Sequence, residues 1–400
     1  MKTIRVLTTL IIFSAGNILA QDTLQTALAQ NRDSSKSFLR NFFITGNGYV
    51  NLEKTNEEES PVVHGAVYPI LLWQISDKLF FESSEEIALE DDEVKASVEF
   101  ATLHYELNKY ITIGAGKFLT PSGTFRERLH PGWINKFPEA PLGFSHEGGT
   151  AGSMSEIGLE ARGGAPLGSS KINYAFYVSN GPTISTDSNE TPMPGMLENG
   201  ELKDNNNNKA VGGRIGFLPF ANSSLEIGIA KQFAKVGDRN DSLYKDAIAA
   251  TYAFDLSYVA NVPSLKSMID IKGEFNYAMV DQSGKSSSVD MDSMSNLSAM
   301  TNVTRAYYIQ FAIRPAMFQK KIIQNLELAA RYSVFDMSEE GMDGINNAQF
   351  SVGLNYWLSW RSVIKFAYMA VKEDDQSESF FLLQLALAHP KIKFKRKNKE

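Results

Sequence analysis

Apolar and polar residues alternate with a period of two along most of the chain from Phe38 onward. Successive side chains of a β-strand point to opposite faces, so this period predicts strands with one apolar and one mixed face. The alternating stretches are about 10 to 15 residues long, a length typical of strands that cross a membrane in a barrel. They span residues 38–54, 61–75, 78–89, 94–107, 110–119, 154–163, 170–180, 208–218, 225–236, 243–258, 267–281, 303–314, 325–336, 346–358, 361–372 and 378–388. The chain is therefore predicted to be all-β, with about 16 strands.

The faces of these stretches leave two architectures open. The stretch 267–281 alternates apolar residues with Asp270, Lys272, Glu274 and Asn276. A soluble sandwich and a membrane barrel both alternate in this way, but a barrel turns the polar face inward and the apolar face to lipid. Aromatic residues near strand ends would suit the interfacial girdles of a barrel, namely Tyr105, Tyr110, Tyr307, Tyr308, Tyr356, Trp357 and Trp360.

The connections between the stretches favour the barrel. One class is short, at 76–77, 108–109, 165–169, 219–224, 260–266, 315–324 and 359–360. The alternate class includes 121–153, 181–207, 282–302 and 337–345, which are longer and rich in Ser, Asn, Gly and acids. Short turns at one rim and long loops at the other are typical of outer-membrane barrels. The sequence therefore predicts a transmembrane antiparallel β-barrel.

The two ends of the chain suggest export and a tail. Lys2 and Arg5 precede an apolar run, and a small residue, Ala20, closes the segment. This order is that of a secretory signal peptide, and the run is too short to span a bilayer. Residues 1–20 are predicted to be the signal, 21–37 a periplasmic lead-in, 38–388 the barrel and 389–400 a basic tail. The predicted location is the cell outer membrane, with its lipid bilayer as the principal partner.

Charge and composition exclude several classes of function. The formal net charge is -7, and loss of the signal with Lys2 and Arg5 would make it -9. An acidic balance argues against nucleic acid as a partner, because phosphate neutralisation needs a basic face. The chain has no cysteine, so a lipid-modified cysteine and a disulfide framework are both excluded.

Charged residues on the predicted inward faces are candidates for lining a pore. Rings of side-chain charge set which ions a wide pore favours, so a slight basic excess predicts a mild anion preference. The alternative is that these charges pair across strands and only stabilise the wall. The basic and acidic candidates are Arg162, Lys171, Arg214, Lys272, Arg314, Arg331, Lys365, Glu160, Glu226, Asp270, Glu274 and Glu327.

The connection 121–153 is the main candidate for a functional loop. A loop of this length is usually functional or disordered, and its prolines and aromatics argue against disorder. If it folds into the barrel, Arg126, Arg128 and Lys136 would narrow the pore and present donors to carboxylate or phosphate. Two alternatives remain: a metal site, or local ion pairs that hold the shape of a loop packed by Pro131, Trp133, Phe137 and Pro138. The charged candidates in it are Arg126, Glu127, Arg128, His130, Lys136, Glu139, His146 and Glu147; of these, His130 and His146 with Glu127 or Glu147 would be the metal ligands.

No catalytic signature stands out. The chain has no G-x-S-x-G, no H-E-x-x-H and no phosphate-binding glycine loop. Ser, His and Asp are present, but their spacing singles out no triad. The sequence therefore predicts neither an enzyme nor a bound cofactor.

Three short runs resemble a known family. The run LHYELNKYITIGAGKFLTPSGTF at 103–125 resembles the strand, turn, strand and G-x-F-x-x-P-x-G segment of outer-membrane porins of the phosphate-selective O and P type. The runs YAFYVSNGP at 174–182 and FFLLQLALA at 380–388 are similar to later strands of that group. The resemblance implies a sixteen-stranded barrel, usually a homotrimer, whose third loop folds inward to form a constriction. Here that loop would be the one after Leu119.

The chain departs from the family in two ways. The family usually ends at an aromatic residue, whereas here Ala388 is followed by HPKIKFKRKNKE. The Arg and Lys ladder behind the phosphate preference of its namesakes has no match, so phosphate is not carried over. The sequence as a whole predicts a porin, a passive diffusion channel for small hydrophilic solutes or ions. The alternative is a barrel plugged by its long loop, with a structural, adhesive or assembly role.

Overall fold

Sixteen antiparallel strands close into one barrel, in which the first strand pairs with the last. The computed structural model of the protein describes residues 41–56, 60–90, 93–145, 150–184, 197–198, 204–240, 244–281, 301–339, 344–373 and 376–392. The predicted signal, the lead-in and residues 393–400 of the tail lie outside this range. The prediction of an all-β barrel with about 16 strands is confirmed.

The barrel strands follow the chain order without a crossover. Their bounds are β1 Phe42–Thr55, β2 Val62–Gln74, β3 Leu79–Glu90, β4 Glu93–Asn108, β5 Ile111–Leu119, β6 Ser155–Leu167, β7 Ser170–Ser179, β10 Ala210–Leu218, β11 Leu225–Lys235, β12 Ile248–Val262, β13 Ser267–Asp281, β14 Thr301–Arg314, β15 Leu326–Glu339, β16 Ile345–Ser359, β17 Ser362–Glu373 and β18 Gln376–Ile392. A separate two-stranded ribbon, β8 Thr183–Ile184 and β9 Leu197–Glu198, lies in the connection between β7 and β10.

The predicted connections alternate as expected, with shifts at some strand ends. Strand β15 continues to Glu339, so the connection predicted at 337–345 is shorter. Strand β18 continues to Ile392, where Ile392 pairs with Ile44, so pairing extends past the predicted barrel end at Ala388. The rim whose connections are at most about ten residues long, such as those between β2 and β3 or β16 and β17, is called the turn rim. The opposite rim, which carries the long connections, is called the loop rim.

The two faces of the wall are inverted relative to a soluble sandwich. Outward side chains are large and apolar, and Ile229, Leu328 and Phe350 are 50 to 60% exposed. Inward side chains are polar and buried, as with Glu327 at 1%. The polar face is therefore the inner face, which settles the choice that residue parity left open. No helix in the described ranges is long and apolar enough to cross a membrane.

One irregularity interrupts the wall between β3 and β4. The register shifts between Ser84 and Glu85 of β3, and β4 carries one extra residue there, Glu99. A bulge of this kind changes the phase of the alternation between inward and outward side chains. Val98 is outward before the bulge and Leu103 is outward beyond it, although their spacing is an odd number of residues. Glu99 therefore faces inward. Strict alternation counted back from the outward Leu103 would instead have placed it on the outer face.

Two connections fold into the barrel and build apolar clusters against its inner face. The connection of residues 120–154, here called the inward loop, packs against β14 to β18. The connection of residues 180–209, here called the second loop, places Ile184 and Leu197 against inward residues of β10 to β13. The inward residues that receive these loops are mostly alanine: Ala210, Ala234, Ala249, Ala278, Ala306, Ala312, Ala329 and Ala367. Small side chains leave room for a loop at those positions.

Candidate functional site: the inward loop and the lumen

The inward loop begins where a wall carboxylate receives it. After Pro121 the chain turns into one π-helical turn, Phe125–Leu129, and the backbone N–H groups of Thr124 and Phe125 both donate to Glu274 at 2.9 Å. The free N–H groups at a helix start favour an anion, and β13 supplies one. Gly123 has φ of +151°, and a Cβ built there would lie 1.9 Å from the Glu274 carboxylate. Glycine is therefore required at this approach.

Arg126 ties the loop to itself. Its guanidinium donates to the carbonyls of Ser153 at 2.8 Å, Gly152 at 3.0 Å and Gly143 at 3.3 Å, and its side chain is 1% exposed. These carbonyls belong to the returning limb of the loop, so the outgoing and returning limbs are joined at one residue. Burial lowers the pKa of Arg126 to about 10, opposed by the charge of Glu274, so the group stays charged at neutral pH.

Two apolar clusters seat the loop on the wall. Phe137 is fully buried against inward residues of β14, β15, β17 and β18, with the Arg331 guanidinium 4.6 Å from its ring centroid. Phe125 and Phe144 make edge contacts with each other at 5.8 Å and with Tyr308 at 5.7 and 5.2 Å. Tyr308, predicted for the membrane girdle, is 3% exposed and faces the lumen. That prediction was wrong because its neighbour Tyr307 faces outward, and adjacent strand residues face opposite sides.

The predicted loop cations are each engaged. Arg128 donates to Glu226 of β11 at 2.8 Å, and Lys136 donates to Glu327 of β15 at 2.8 Å. Glu127 accepts from Arg162 of β6 at 3.1 Å. These pairs join the loop to the wall, whereas the sequence alternative was pairing within the loop.

Wall residues also hold loop carbonyls. Lys365 of β17 donates to the carbonyls of Gly132 and Phe137, and Asn355 of β16 donates to that of Lys136 at 3.0 Å. Arg331 of β15 donates to the carbonyls at 139 and 140. Gln384 of β18 reaches the carbonyl at 138 at 3.4 Å. The inner face of β13 to β18 therefore carries most of the loop and is called the loop-bearing wall.

The remaining predicted pore-lining residues pair among themselves or lie near the turn rim. Arg214 donates to both oxygens of Asp255 at 2.6 and 2.8 Å and to Glu226 at 3.0 Å. Lys272 pairs with Asp270 at 2.7 Å, and Arg162 pairs with Glu160 at 2.6 Å. Close to the turn rim, Lys171 donates to Ser223 at 2.7 Å and Arg314 donates to the carbonyl of Gln324 at 2.8 Å. His146 and Glu147 lie outside the described residues.

A second set of inward residues escaped the sequence analysis. On β1 to β4, Glu53 pairs with His64 at 3.2 Å, and Glu82 pairs with His104 at 3.0 Å. The inner face of β1 to β4, which also carries Tyr68, Glu86, Glu93, Lys95, Glu99 and Glu106, is called the acidic wall. The bulge in β4 hid part of this set, because one parity cannot describe the strand on both sides of it.

One contact joins the inward loop to the acidic wall by a titratable pair. His130 Nε2 lies 3.3 Å from Glu99, and Ser84 also donates to Glu99 at 2.7 Å. Burial acts to lower the pKa of His130, but the hydrogen bond and charge of Glu99 outweigh it and raise the pKa above its ordinary value. Within the described ranges, no group of three or more His, Asp or Glu could hold a metal ion.

Solved outer-membrane proteins resemble this chain in fold. A loop L8 deletion mutant of OmpT, an outer membrane protein of Vibrio cholerae, is 12% identical, with 87% of this chain and 98% of that chain covered at a TM-score of 0.54. The anion-selective porin from Comamonas acidovorans is 11% identical, with 87% and 98% covered at 0.52. The outer membrane channel DcaP of Acinetobacter baumannii is 11% identical, with 87% and 96% covered at 0.51.

Comparisons of the amino-acid sequence give no match. No protein-family model matches the chain, and no curated protein matches it. At such low identity the likeness establishes the fold, which is that of sixteen-stranded outer-membrane barrels. In this chain, one wall of the lumen carries the inward loop and another is acidic.

Proposed function

We propose that the protein is a passive diffusion channel for small hydrophilic solutes or ions in the outer membrane. The observation that carries the proposal is the polar inner face, part of which reaches solvent. On the acidic wall the side chains of Glu53 and Glu82 are 25% and 28% exposed. On the loop-bearing wall, Glu327 and Lys365 are each only 1% exposed. A water-filled passage beside the loop accounts for this difference.

The outer surface supports a place in a bilayer. Large apolar side chains cover the outward face, and Tyr105, Tyr110 and Trp360 near the turn rim are 39 to 45% exposed. Aromatic side chains suit the interface between lipid and water. A barrel with this surface would insert with the loop rim facing outward from the cell.

The resemblance to trimeric porins also leads us to propose a homotrimer. Three polar side chains interrupt the outward apolar face at β3 to β5: Ser83, Glu85 and Lys117. Ser83 donates to Glu85 at 2.8 Å, and Lys117 donates to the Val98 carbonyl at 2.7 Å. A lipid-facing charge near mid-depth costs about 2 to 4 kcal/mol, so a neighbouring copy is a better cover than lipid. Mass measurement of the unheated protein in mild detergent tests this assembly.

The specific observation behind the alternative function is the packing of the inward loop. Apolar clusters and ion pairs join it to strands around most of the barrel, as a plug would be joined. A plugged barrel with a structural, adhesive or assembly role would carry no steady current. The mild anion preference, the membership of the phosphate-selective O and P type and the absence of enzymatic activity remain predictions from the sequence.

Single-channel recording of the refolded mature chain in a planar bilayer tests the proposal. Discrete ohmic current steps are expected from the folded barrel. Folding is verified by a difference in electrophoretic mobility before and after heating. Steady silence from such a folded barrel would overturn the channel and favour the plug. Deletion of the inward loop distinguishes the two further, because it should enlarge existing steps in a channel and create steps in a plugged barrel.

A further inference from the structure

We infer that the channel prefers cationic solutes, and that the acidic wall sets this preference. The inference rests on the proposed function, since a preference requires an open passage. It differs in sign from the anion preference predicted from the sequence. The two signs arise from different walls. The basic residues behind the sequence prediction either pair with acids, as Arg162, Arg214 and Lys272 do, or donate to hydroxyl and carbonyl oxygens.

Among the described residues, the apolar packing of the two loops lies away from the acidic wall. The inward loop packs on β14 to β18, and the second loop packs on the loop-rim half of β10 to β13. None of the three apolar clusters includes a residue of β1 to β4 among the described residues. Glu53, Glu82 and His64 keep 20 to 28% of their side chains exposed, so solvent reaches the acidic wall at these residues.

The acids on this wall are distributed over the depth of the barrel. Glu53 lies near the loop rim, where it pairs with His64. Glu86 lies near mid-depth, where it accepts from Tyr68 at 2.6 Å. Glu82 lies closer to the turn rim with His104. A solute crossing the barrel therefore meets carboxylates in succession.

The charge of this wall is not balanced by bases. Its inward Lys and Arg side chains among the described residues are limited to Lys95, near the loop rim, against Glu53, Glu82, Glu86, Glu93, Glu99 and Glu106. Arg162 of β6, the nearest inward guanidinium along the wall, is itself bonded to Glu127 and Glu160. Elsewhere Arg128, Lys136 and Arg214 are each bonded to acids. Arg126, Arg331 and Lys365 bond to carbonyls instead, but each is 1% exposed, so the field at the solvent-exposed acids of this wall is negative.

His104 provides an independent indication of a donor ligand. Its side chain faces the lumen and is 5% exposed, and its Nδ1 atom has no hydrogen-bond partner among the described residues. When Nε2 donates to Glu82, the neutral ring leaves Nδ1 as an acceptor. An ammonium N–H can satisfy such an acceptor. A carboxylate group offers no donor to this atom and is repelled by Glu82.

The negative charge of the acidic wall selects cations by raising their concentration beside it. A cleft lined by one sign of charge raises the concentration of oppositely charged solutes within it, and low ionic strength strengthens the effect. Small cations, including organic amines, are the expected substrate class. Carboxylates held by Tyr68, Ser84 and the two histidines are fixed in position and need little reorganisation.

The test is the reversal potential of the refolded mature chain in a gradient of potassium chloride. The potential should have the sign of potassium permeation, and its magnitude should fall as ionic strength rises. The variant E82Q/E86Q should shift it towards the chloride side. The variant D238N/D246N changes the net charge equally but in the connection between β11 and β12, and it should leave the potential unchanged. Migration before and after heating verifies that each variant is folded.

The outcomes separate the inference from the function on which it rests. Current steps with a chloride-directed potential, or an equal shift in both variants, would overturn the inference and leave the channel intact. Absence of steps from the folded barrel would overturn the channel and the inference together. If E82Q/E86Q does not fold, the sign measured on the unsubstituted chain still decides the question.

Discussion

The loop-bearing wall and the acidic wall are built from the same alternating strands, yet they treat charge in opposite ways. Glu327 on the loop-bearing wall is 1% exposed and holds Lys136 at 2.8 Å. Glu82 on the acidic wall has a side chain 28% exposed and a histidine as its partner. A buried carboxylate needs a cation or several hydrogen-bond donors, whereas one in contact with water is also stabilised by solvent. The difference teaches that inward charge has a structural role where a loop covers it and can act on solutes where water reaches it.

Small side chains lie beneath the inward loop on the loop-bearing wall. Ala306, Ala312, Ala329 and Ala367 face inward beneath the inward loop. The acidic wall has Tyr68, Glu82 and Glu86 at comparable inward positions, which fill space and attract water. The alanines give the loop room to pack, but they do not alone decide the side, because the acidic wall also carries the buried inward residues Ala66 and Ala88.

Arg126→Met should break the comparison most strongly, because it removes the residue that joins the two limbs of the inward loop. Several buried carbonyls would lose a charged donor, and we expect a loss of about 4 kcal/mol in the free energy of unfolding. Urea titration of the barrel in detergent measures the loss, and larger and noisier current steps should accompany it. Arg126→Lys, which keeps the charge but loses the fork, should retain part of the stability. Unchanged steps in Arg126→Met would contradict this role.

Phe137→Ala should loosen the loop on the loop-bearing wall without changing any charge. The side chain is fully buried among Ala312, Ala329, Met369 and Leu382. Removal of such a ring costs about 3 kcal/mol through lost contacts and the cavity left behind. Urea titration should show that loss, while the reversal potential should stay constant, because the acidic wall is untouched. A changed potential would mean that the two walls are not independent.

The sequence predicted much of the loop-bearing wall. Period-two alternation placed Glu327, Arg331 and Lys365 on the inner face. Loop length marked 121–153 as the candidate functional loop, and the family resemblance implied that it folds inward. The pairing partners were not accessible, because Lys136 and Glu327 are 191 residues apart and meet only after the barrel closes. The alanines beneath the loop were a usable signal, since apolar residues on a face predicted to be wet indicate that something covers it.

The acidic wall was missed for two local reasons. The extra residue Glu99 changes the phase of the pattern within β4, so a single parity assignment cannot hold across that strand. In β3 the outward Ser83 and Glu85 are polar like the inward Glu82 and Glu86, so neither face of that part of the strand is apolar. Without an apolar face, the alternation cannot show whether these carboxylates point inward or outward.

In the closing strand β18, by contrast, the sequence does identify the inward polar residue. The resemblance drew attention to its Leu-Gln-Leu run, in which one polar residue interrupts an apolar sequence. Gln384 is the residue that donates to Asn51 at 2.8 Å and reaches the inward loop. A strand with one clearly apolar face therefore identifies its inward polar residue, even when its partners are distant in the chain.

Glu327→Gln should separate pairing from packing on the loop-bearing wall. The change leaves Lys136 buried beside a neutral amide, with the Asp270 carboxylate 3.6 Å away as its remaining acid. Breaking a buried pair by removing one partner costs about 3 kcal/mol, and the double variant K136M/E327Q should recover part of it. Urea titration of both variants measures the difference. Equal stability of the single and double variants would show that the pair is not coupled.

His130→Gln should have the smallest effect and should sharpen the contrast between the two walls through its pH dependence. Glu99 raises the pKa of His130 in the folded protein, so the pair contributes its full stability below the unfolded pKa of about 6.5. That contribution is lost as pH rises through the higher folded value. The unsubstituted chain should therefore lose stability relative to His130→Gln between neutral and mildly alkaline pH, by less than about 1 kcal/mol. Paired urea titrations across that range measure the difference, and parallel pH profiles would show that the loop does not depend on this contact.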